Sequence, residues 1–260
     1  RAAHTSSTAL RRTGCSGTVT LQRRREHDWQ IRLLELRPDE RAAGPDSLKT
    51  AFTGKGLRVG VVVGGYGSES LRECLQAQPG LDVVALSYAD LRLDECQVVV
   101  WPQSRSSAVP PDLVAALESY VANGGGLVAT HDAVGYRQMP KLLTALCQGG
   151  PAHVRDERWR CAADHPVTAG LDPKATLAQS YLDHVQIEPG PAGKVVAVAE
   201  KTGRPVVVAG DHGKGRYVAC GLLPGCSANA QEAPPTADET RLLTNAVRWC
   251  ARAPQDPPAP

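Results

Sequence analysis

The sequence predicts an α/β layered domain, a mostly parallel central sheet with helices on both faces. Three observations predict it. From Leu57 onward, short Val-rich runs recur at Leu57 to Val63, Asp82 to Leu86, Gln97 to Trp101 and Gly126 to Thr130. They are apolar almost throughout rather than alternating, as in strands covered on both sides. Helical patterns separate them, and a strand–helix–strand alternation folds into a layered sheet with right-handed crossovers.

The elements follow in order. Glu69 to Gln78 reads as the first helix, with Ser68 or Ser70 as its cap. Pro110 to Asn123 reads as the second, with proline in its first turn and a stop at Gly124-Gly125-Gly126. A third helix is expected near Pro140 to Cys147, then an irregular stretch to about Ala192. Three further strands come next, Lys194 to Ala199, Pro205 to Gly210 and Arg216 to Gly221. Asp211-His212-Gly213-Lys214-Gly215 lies between the last two and reads as a hairpin turn, because a phosphate loop requires a helix to follow. A closing helix, Asp238 to Arg252, places Leu242, Leu243, Ala246, Val247 and Cys250 at helical spacing.

Outside this frame, residues 1–55 hold 11 Lys or Arg against 6 Asp or Glu, a local +5, whereas the remainder sums to −3 of a total +2. Gly17 to Gln22 and Trp29 to Leu36 read as strands of a β-hairpin-like extension joined through Arg23-Arg24-Arg25. Two strands alone are marginal in water, so this piece is expected to pack on a partner or another domain, or to be the end of an upstream one. A disordered basic arm is the other reading. The proline-rich residues 253–260 form a tail.

Composition narrows the function classes. No apolar run approaches the roughly 20 residues of a membrane span. The near-balanced charge, 29 basic against 27 acidic, argues against a nucleic-acid surface. Eight cysteines stand without a C-x-x-C pair, so no structural metal centre is expected, and the compartment stays open.

The most informative segment is Gly124 to Gly135. A buried strand ending in Ala129-Thr130-His131-Asp132-Ala133 has the small neighbours that let a central side chain project from a sharp strand-to-helix elbow, with His131 at its apex. A loop histidine without a task is the plain alternative. Val63-Gly64-Gly65-Tyr66-Gly67-Ser68-Glu69 opens a helix whose amides suit an anion, but its glycines do not space as a dinucleotide fingerprint. In Asp164-His165-Pro166, His165 reads as the start of an extended segment rather than a base. Tyr181-Leu182-Asp183-His184 supplies second-choice site residues. His131 and His184 with Asp132 or Asp183 suit a divalent ion, yet no spacing requires one; no metal or other cofactor is expected.

Together, the Gly-Gly-Gly-Leu-Val-Ala-Thr-His131 segment, Asp164 to Leu171, Gly213 to Val218 and Leu242 to Trp249 resemble the trehalose-utilisation (ThuA-like) family of the class I glutamine amidotransferase-like superfamily. The resemblance covers about 57 to 252 and implies a flavodoxin-like three-layer domain over residues 56–252 and a link to carbohydrate metabolism. Two departures matter. Glutaminase members place a cysteine at the elbow, where this chain has His131, which disfavours thioester chemistry. Sugar-linked relatives carry histidines in the Gly65–Tyr66 loop, and here there are none.

Three classes of function remain, the last a carrier of an unrecognised small-molecule or metal site. The first is a catalytically silent or weakly active binding or assembly module, a homo-oligomer or part of a larger assembly, which the missing nucleophile and the two appendages favour. The alternative is a carbohydrate-linked enzyme using His131, with Asp132 and Glu69 as its catalytic partners and Gly65, Tyr66, Asp183 and His184 binding a small sugar. Whether the chain is an enzyme stays open. An enzyme needs titratable groups converging on one pocket.

Overall fold

The computed structural model describes residues 5–12, 15–25 and 28–38 by their backbone, and 56–104, 109–110, 112–156 and 158–253 with side chains. The expected tail therefore lies outside the described residues except for Ala253. The chain forms two compact units, residues 1–51 and 52–260.

In the first unit, β1 (Thr5–Arg12), β2 (Cys15–Arg25) and β3 (Asp28–Pro38) form an antiparallel sheet in that order. The two expected strands fall in β2 and β3, and β1 extends them to three.

The second unit is the layered domain. Its parallel half is built from β4 (Leu57–Val62), β5 (Leu81–Leu86), β6 (Val98–Trp101) and β7 (Gly126–Thr130). Between them run α1 (Ser68–Gln76) and α2 (Leu113–Ala122). After β7 come β8 (Ala152–Val154), β9 (Arg158–Cys161), β10 (Leu177–Ala178) and β11 (His184–Gln186), then β12 (Lys194–Ala199), β13 (Pro205–His212), β14 (Gly215–Cys220) and α3 (Ala237–Cys250). The nine-stranded sheet runs β10-β9-β12-β13-β14-β7-β6-β4-β5. Pairs from β5 to β14 are parallel, and those from β14 to β10 antiparallel. The sheet is thus mixed, its parallel half lying where the continuous apolar runs predict it. The hairpin between β13 and β14 forms as expected, with His212 opposite Gly215.

Strand alternation sorts the core onto two faces. Val59, Val61, Val98, Val100 and Val128 pack with α1 and α3 through Leu71, Leu75, Leu243 and Val247. Val62, Val99, Trp101, Leu127 and Ala129 pack with α2 through Leu117 and Val121. The result is three layers.

The expected helix at Pro140 to Cys147 does not form. Leu142, Leu143 and Leu146 are buried as their spacing suggests, but Leu143 sits at φ 48 and the segment turns. Leu146 and Cys147 N–H turn back onto Leu143 O, but the carbonyls of Ala145 and Leu146 are satisfied across the fold: Gly190 N–H donates to Leu146 O and Ala192 N–H to Ala145 O, both at 2.9 Å. The stretch expected to be irregular holds four short strands, two of which join the main sheet.

α1 is not capped by its own serines. Ser68 Oγ bonds within the preceding loop, while the carboxylate of Glu232 accepts from Ser70 N–H at 2.8 Å and Glu69 N–H at 3.4 Å. A carboxylate there is favoured by the orphan amides and the helix dipole. α3 carries a capping box: Glu239 N–H donates to Thr236 Oγ1 and Thr236 N–H to Glu239 Oε2.

His165 behaves as a structural residue. Its Nδ1 accepts from Val167 N–H at 3.2 Å and its ring meets Trp249 edge-on at 5.0 Å. Burial, then the charges of Lys194 and Arg216, lower its pKa against the weaker opposing effect of Asp164 and Asp211. The unfolded chain therefore takes up this proton first, so the residue's contribution to stability is present above about pH 6.5 and is lost as pH falls below that value through the lower folded-state pKa. We predict that His165→Asn, which keeps an acceptor for Val167, narrows the loss of thermal stability between neutral pH and pH 5 relative to the parent; an unchanged pH profile contradicts this.

Candidate functional site

The parallel strands end on one edge of the sheet, and β4, β6 and β7 each deliver a loop there, the crevice where α/β sheets hold ligands. β7 is wholly buried and Thr130 still extended at φ −123. The next residue, His131, turns abruptly to φ 49, followed by a short 3-10 turn to Val134 and Gly135 at φ 93. This is the elbow read from the sequence. Ala129 and Ala133, both fully buried, leave room for the bend. A left-handed backbone at a residue with a Cβ costs about 1–2 kcal/mol.

The His131 ring is buried, but among polar groups rather than in apolar core. Its Nδ1 lies 2.9 Å from Asp132 Oδ1, a close ionic approach out of line for a hydrogen bond, and its Nε2 lies 3.4 Å from Asp183 Oδ1. The other oxygen of Asp183 is 2.9 Å from His153 Nε2. Asp183 thus stands between two imidazoles, and His131 between two carboxylates. The side chains of His131 and Asp183 are 7% and 8% exposed, that of His153 31%, so solvent reaches the group from the His153 side. Tyr136 stacks on His153 at 5.6 Å, and the Tyr181 ring meets His131 edge-on at 6.3 Å.

These contacts set the charges. Burial opposes a positive His131, but Asp132 and Asp183 together outweigh it and raise its pKa. Burial likewise pushes both carboxyls up, and their imidazole neighbours prevail and lower them, with Gln103 and Arg137 adding to the effect on Asp132. The two nitrogens Nε2 or Nδ1 and the carboxylate oxygen that His131, His153 and Asp183 each offer lie within 4.8 Å of one another, close enough to surround one metal ion.

Gln103, at the end of β6, links this cluster to the β4 loop. Its Nε2 donates to Asp132 Oδ2 at 3.3 Å and its Oε1 accepts from Tyr66 N–H at 3.1 Å. Gly65 presses against the Gln103 carbonyl so closely that a Cβ there would collide with it. Gln103 borders two hollows. One, of about 380 Å³, is lined by Gly64, Gly65, Tyr66 and Glu69 together with Gln231 and Glu232; the other, of about 350 Å³, by Asp132, Tyr136 and Arg137.

The structure therefore brings together His131, Asp132 and Asp183 of the candidates, and places Gly65, Tyr66 and Glu69 along the adjoining hollow. Glu69 is directed to Arg72 at 2.7 Å rather than to the imidazoles. His184 is not brought in. It follows Asp183 into β11 and points the other way, fully buried, its Nδ1 3.1 Å from Asp156 O. Sequence reasoning missed His153 and Gln103. His153 reaches Asp183 only because β8 pairs with β11, His153 opposite Val185, and no local pattern announces that pairing.

Comparison with known proteins adds the following. A family model described as trehalose utilisation (ThuA) matches residues 67–250. No curated protein sequence matches significantly. Among solved structures, a ThuA-like protein from Parabacteroides merdae is 18% identical, with 79% of this chain and 94% of that one covered at a TM-score of 0.58. A cytoplasmic protein from Salmonella typhimurium is also 18% identical, with 76% and 99% covered at 0.54. A β-galactosidase from Bacillus circulans sp. alkalophilus is 16% identical at 0.56, over 74% of this chain but 31% of that one. At these identities the likeness is one of fold.

The strain at the elbow is open to measurement. His131→Gly and His131→Ala both delete the ring, but only glycine tolerates φ 49 freely, so we expect the glycine variant to be the more stable by about 1 kcal/mol in denaturant unfolding. Equal stabilities would mean that the elbow is relaxed.

Proposed function

The chain belongs to the trehalose-utilisation (ThuA) family, and on that premise we propose that it is a carbohydrate-linked enzyme whose reacting centre is the His131 elbow. One observation carries the reading: the Asp183 carboxylate, from the segment before β11, held between imidazoles from the elbow and from β8 beside a cleft. Convergence of titratable groups on one cleft is what acid–base chemistry requires. A silent binding or assembly module leaves this arrangement idle.

In this reading a sugar lies across the Gly65–Tyr66 loop and Gln103. Tyr66, the exposed large aromatic of the described residues, offers its face to the apolar side of the ring. A hydroxyl meets Asp183 and His153 at the open side of the cluster, and Asp183, steadied by His131, assists transfer of its proton. Asp132 and Gln103 hold the elbow and the loop in register, and Glu69 lines the far wall. Glutaminase-type thioester chemistry has no support. Cys147, the nearest cysteine in sequence, is buried against Val134 O, and burial pushes its thiol up to about 11.

The test is turnover of trehalose, other disaccharides and aryl glycosides by the intact chain. At least one substrate is expected to react, with kcat reduced 100-fold or more, on the scale of about 10²–10⁴ for a lost proton-transfer group, in Asp183→Asn and in His131→Ala. Lys174→Ala, on the exposed surface, is expected to match the parent. Turnover unaffected by the first two substitutions, or none by the parent, removes the reading. The homo-oligomer or larger assembly expected from the basic extension and the tail is a separate proposal, and sedimentation of the full chain as a monomer at micromolar concentration contradicts it.

A further inference from the structure

We propose that His131 Nε2, His153 Nε2 and Asp183 form a binding site for one divalent transition-metal ion of the zinc or cobalt type. The inference rests on the cluster and not on the carbohydrate reading, so the two can fail separately.

The donor set comes first. Two imidazoles and one carboxylate, each from a different segment, suit borderline divalent ions and not magnesium or calcium, which prefer oxygen alone. Donors held at about 2.0–2.2 Å from one ion stand roughly 3–4 Å apart. The Asp183 oxygens are 3.4 Å from His131 Nε2 and 2.9 Å from His153 Nε2, and no pair of donor atoms is separated by more than 4.8 Å. His153, the most exposed of the three, is the donor least held by packing. Three protein ligands leave further positions for water or substrate, as catalytic metal sites do.

Asp132 supplies an independent argument. Metal-bound histidines commonly give their second ring N–H to a carboxylate, which fixes the tautomer. Asp132 Oδ1 lies 2.9 Å from Nδ1, near enough for that role though out of line for it as the ring stands, and Gln103 in turn donates to Asp132 Oδ2. With Nδ1 so occupied, Nε2, already 3.4 Å from Asp183 Oδ1, would be left to a cation that the carboxylate shares. A cation held by these residues would supply Lewis-acid polarisation of a bound oxygen, a role distinct from the proton transfer given above to Asp183.

The experiment is titration of the full, metal-stripped chain with cobalt(II) chloride, followed by visible d–d absorption and by metal content after gel filtration. The expected result is one tight cobalt per chain with a nitrogen- and oxygen-ligand spectrum. His153→Ala, whose side chain is the most exposed of the three and whose folding is checked by circular dichroism, is expected to weaken it at least 10-fold. Asp132→Asn, which leaves all three ligands in place, is expected to weaken it by about 10–100-fold and to alter the spectrum. Absence of cobalt binding in the parent, or binding that His153→Ala leaves unchanged, overturns the site. Cobalt binding that depends on His153 in a protein with no sugar turnover keeps the site and sinks only the carbohydrate reading; turnover without cobalt binding does the reverse.

Discussion

A histidine held in left-handed backbone at the end of a fully buried strand is the constraint on which this molecule turns. β7 is hydrogen-bonded on both sides, to β6 and to β14, and cannot shift to relax its last residue. Thr130 must leave the sheet extended and Val134 must be back under the layer, so the bend falls on one position. The cost of φ 49 at His131 is met by the packing of the small residues around it and by the carboxylates its ring reaches. Without the bend the ring would follow the strand into one of the two apolar layers.

What the elbow presents is useful only if its partners arrive, and these come from the part of the chain with the least regular structure. The segment before β11 is anchored by polar contacts rather than by core. Gln179 Nε2 donates to Asp156 O and Asp183 O, at 2.8 and 2.9 Å. Ser180 N–H and Oγ both donate to Glu239, the buried carboxylate of the α3 capping box. Burial raises the Glu239 carboxyl despite those donors, so a helix cap and a loop anchor share a costly buried group. The group that starts α3 also steadies the peptide that carries Asp183.

The placement limits the chemistry open to the bend. A cysteine at such a bend can serve as an attacking thiolate, whereas an imidazole does not form the same acyl bond. Here the ring stands in a polar collar of Asp132, Asp183 and His153, tied through Gln103 to the β4 loop. Glu232, reaching across to the first turn of α1, occupies the amides that an anion would otherwise take and closes one wall of the cleft with a carboxylate.

The sequence by itself determined the layered class, the parallel strands, the elbow and the β13–β14 hairpin. In each case the signal is local: continuous Val runs, small residues around His131, a Gly-Lys-Gly turn. Apolar spacing at Leu142, Leu143 and Leu146 reported burial faithfully but misled about form, because a turn bonded to residues 190 and 192 buries the same side chains as a helix. His184 was legible as a histidine near the cleft, whereas its direction depends on strand alternation one residue after Asp183. Only the tertiary structure decided that Asp183 faces the elbow, that His153 joins it through the β8–β11 pair, and that Gln103 connects two loops. Those contacts span from about thirty to more than fifty residues of chain, and no periodicity encodes which distant side chains will share a buried charge.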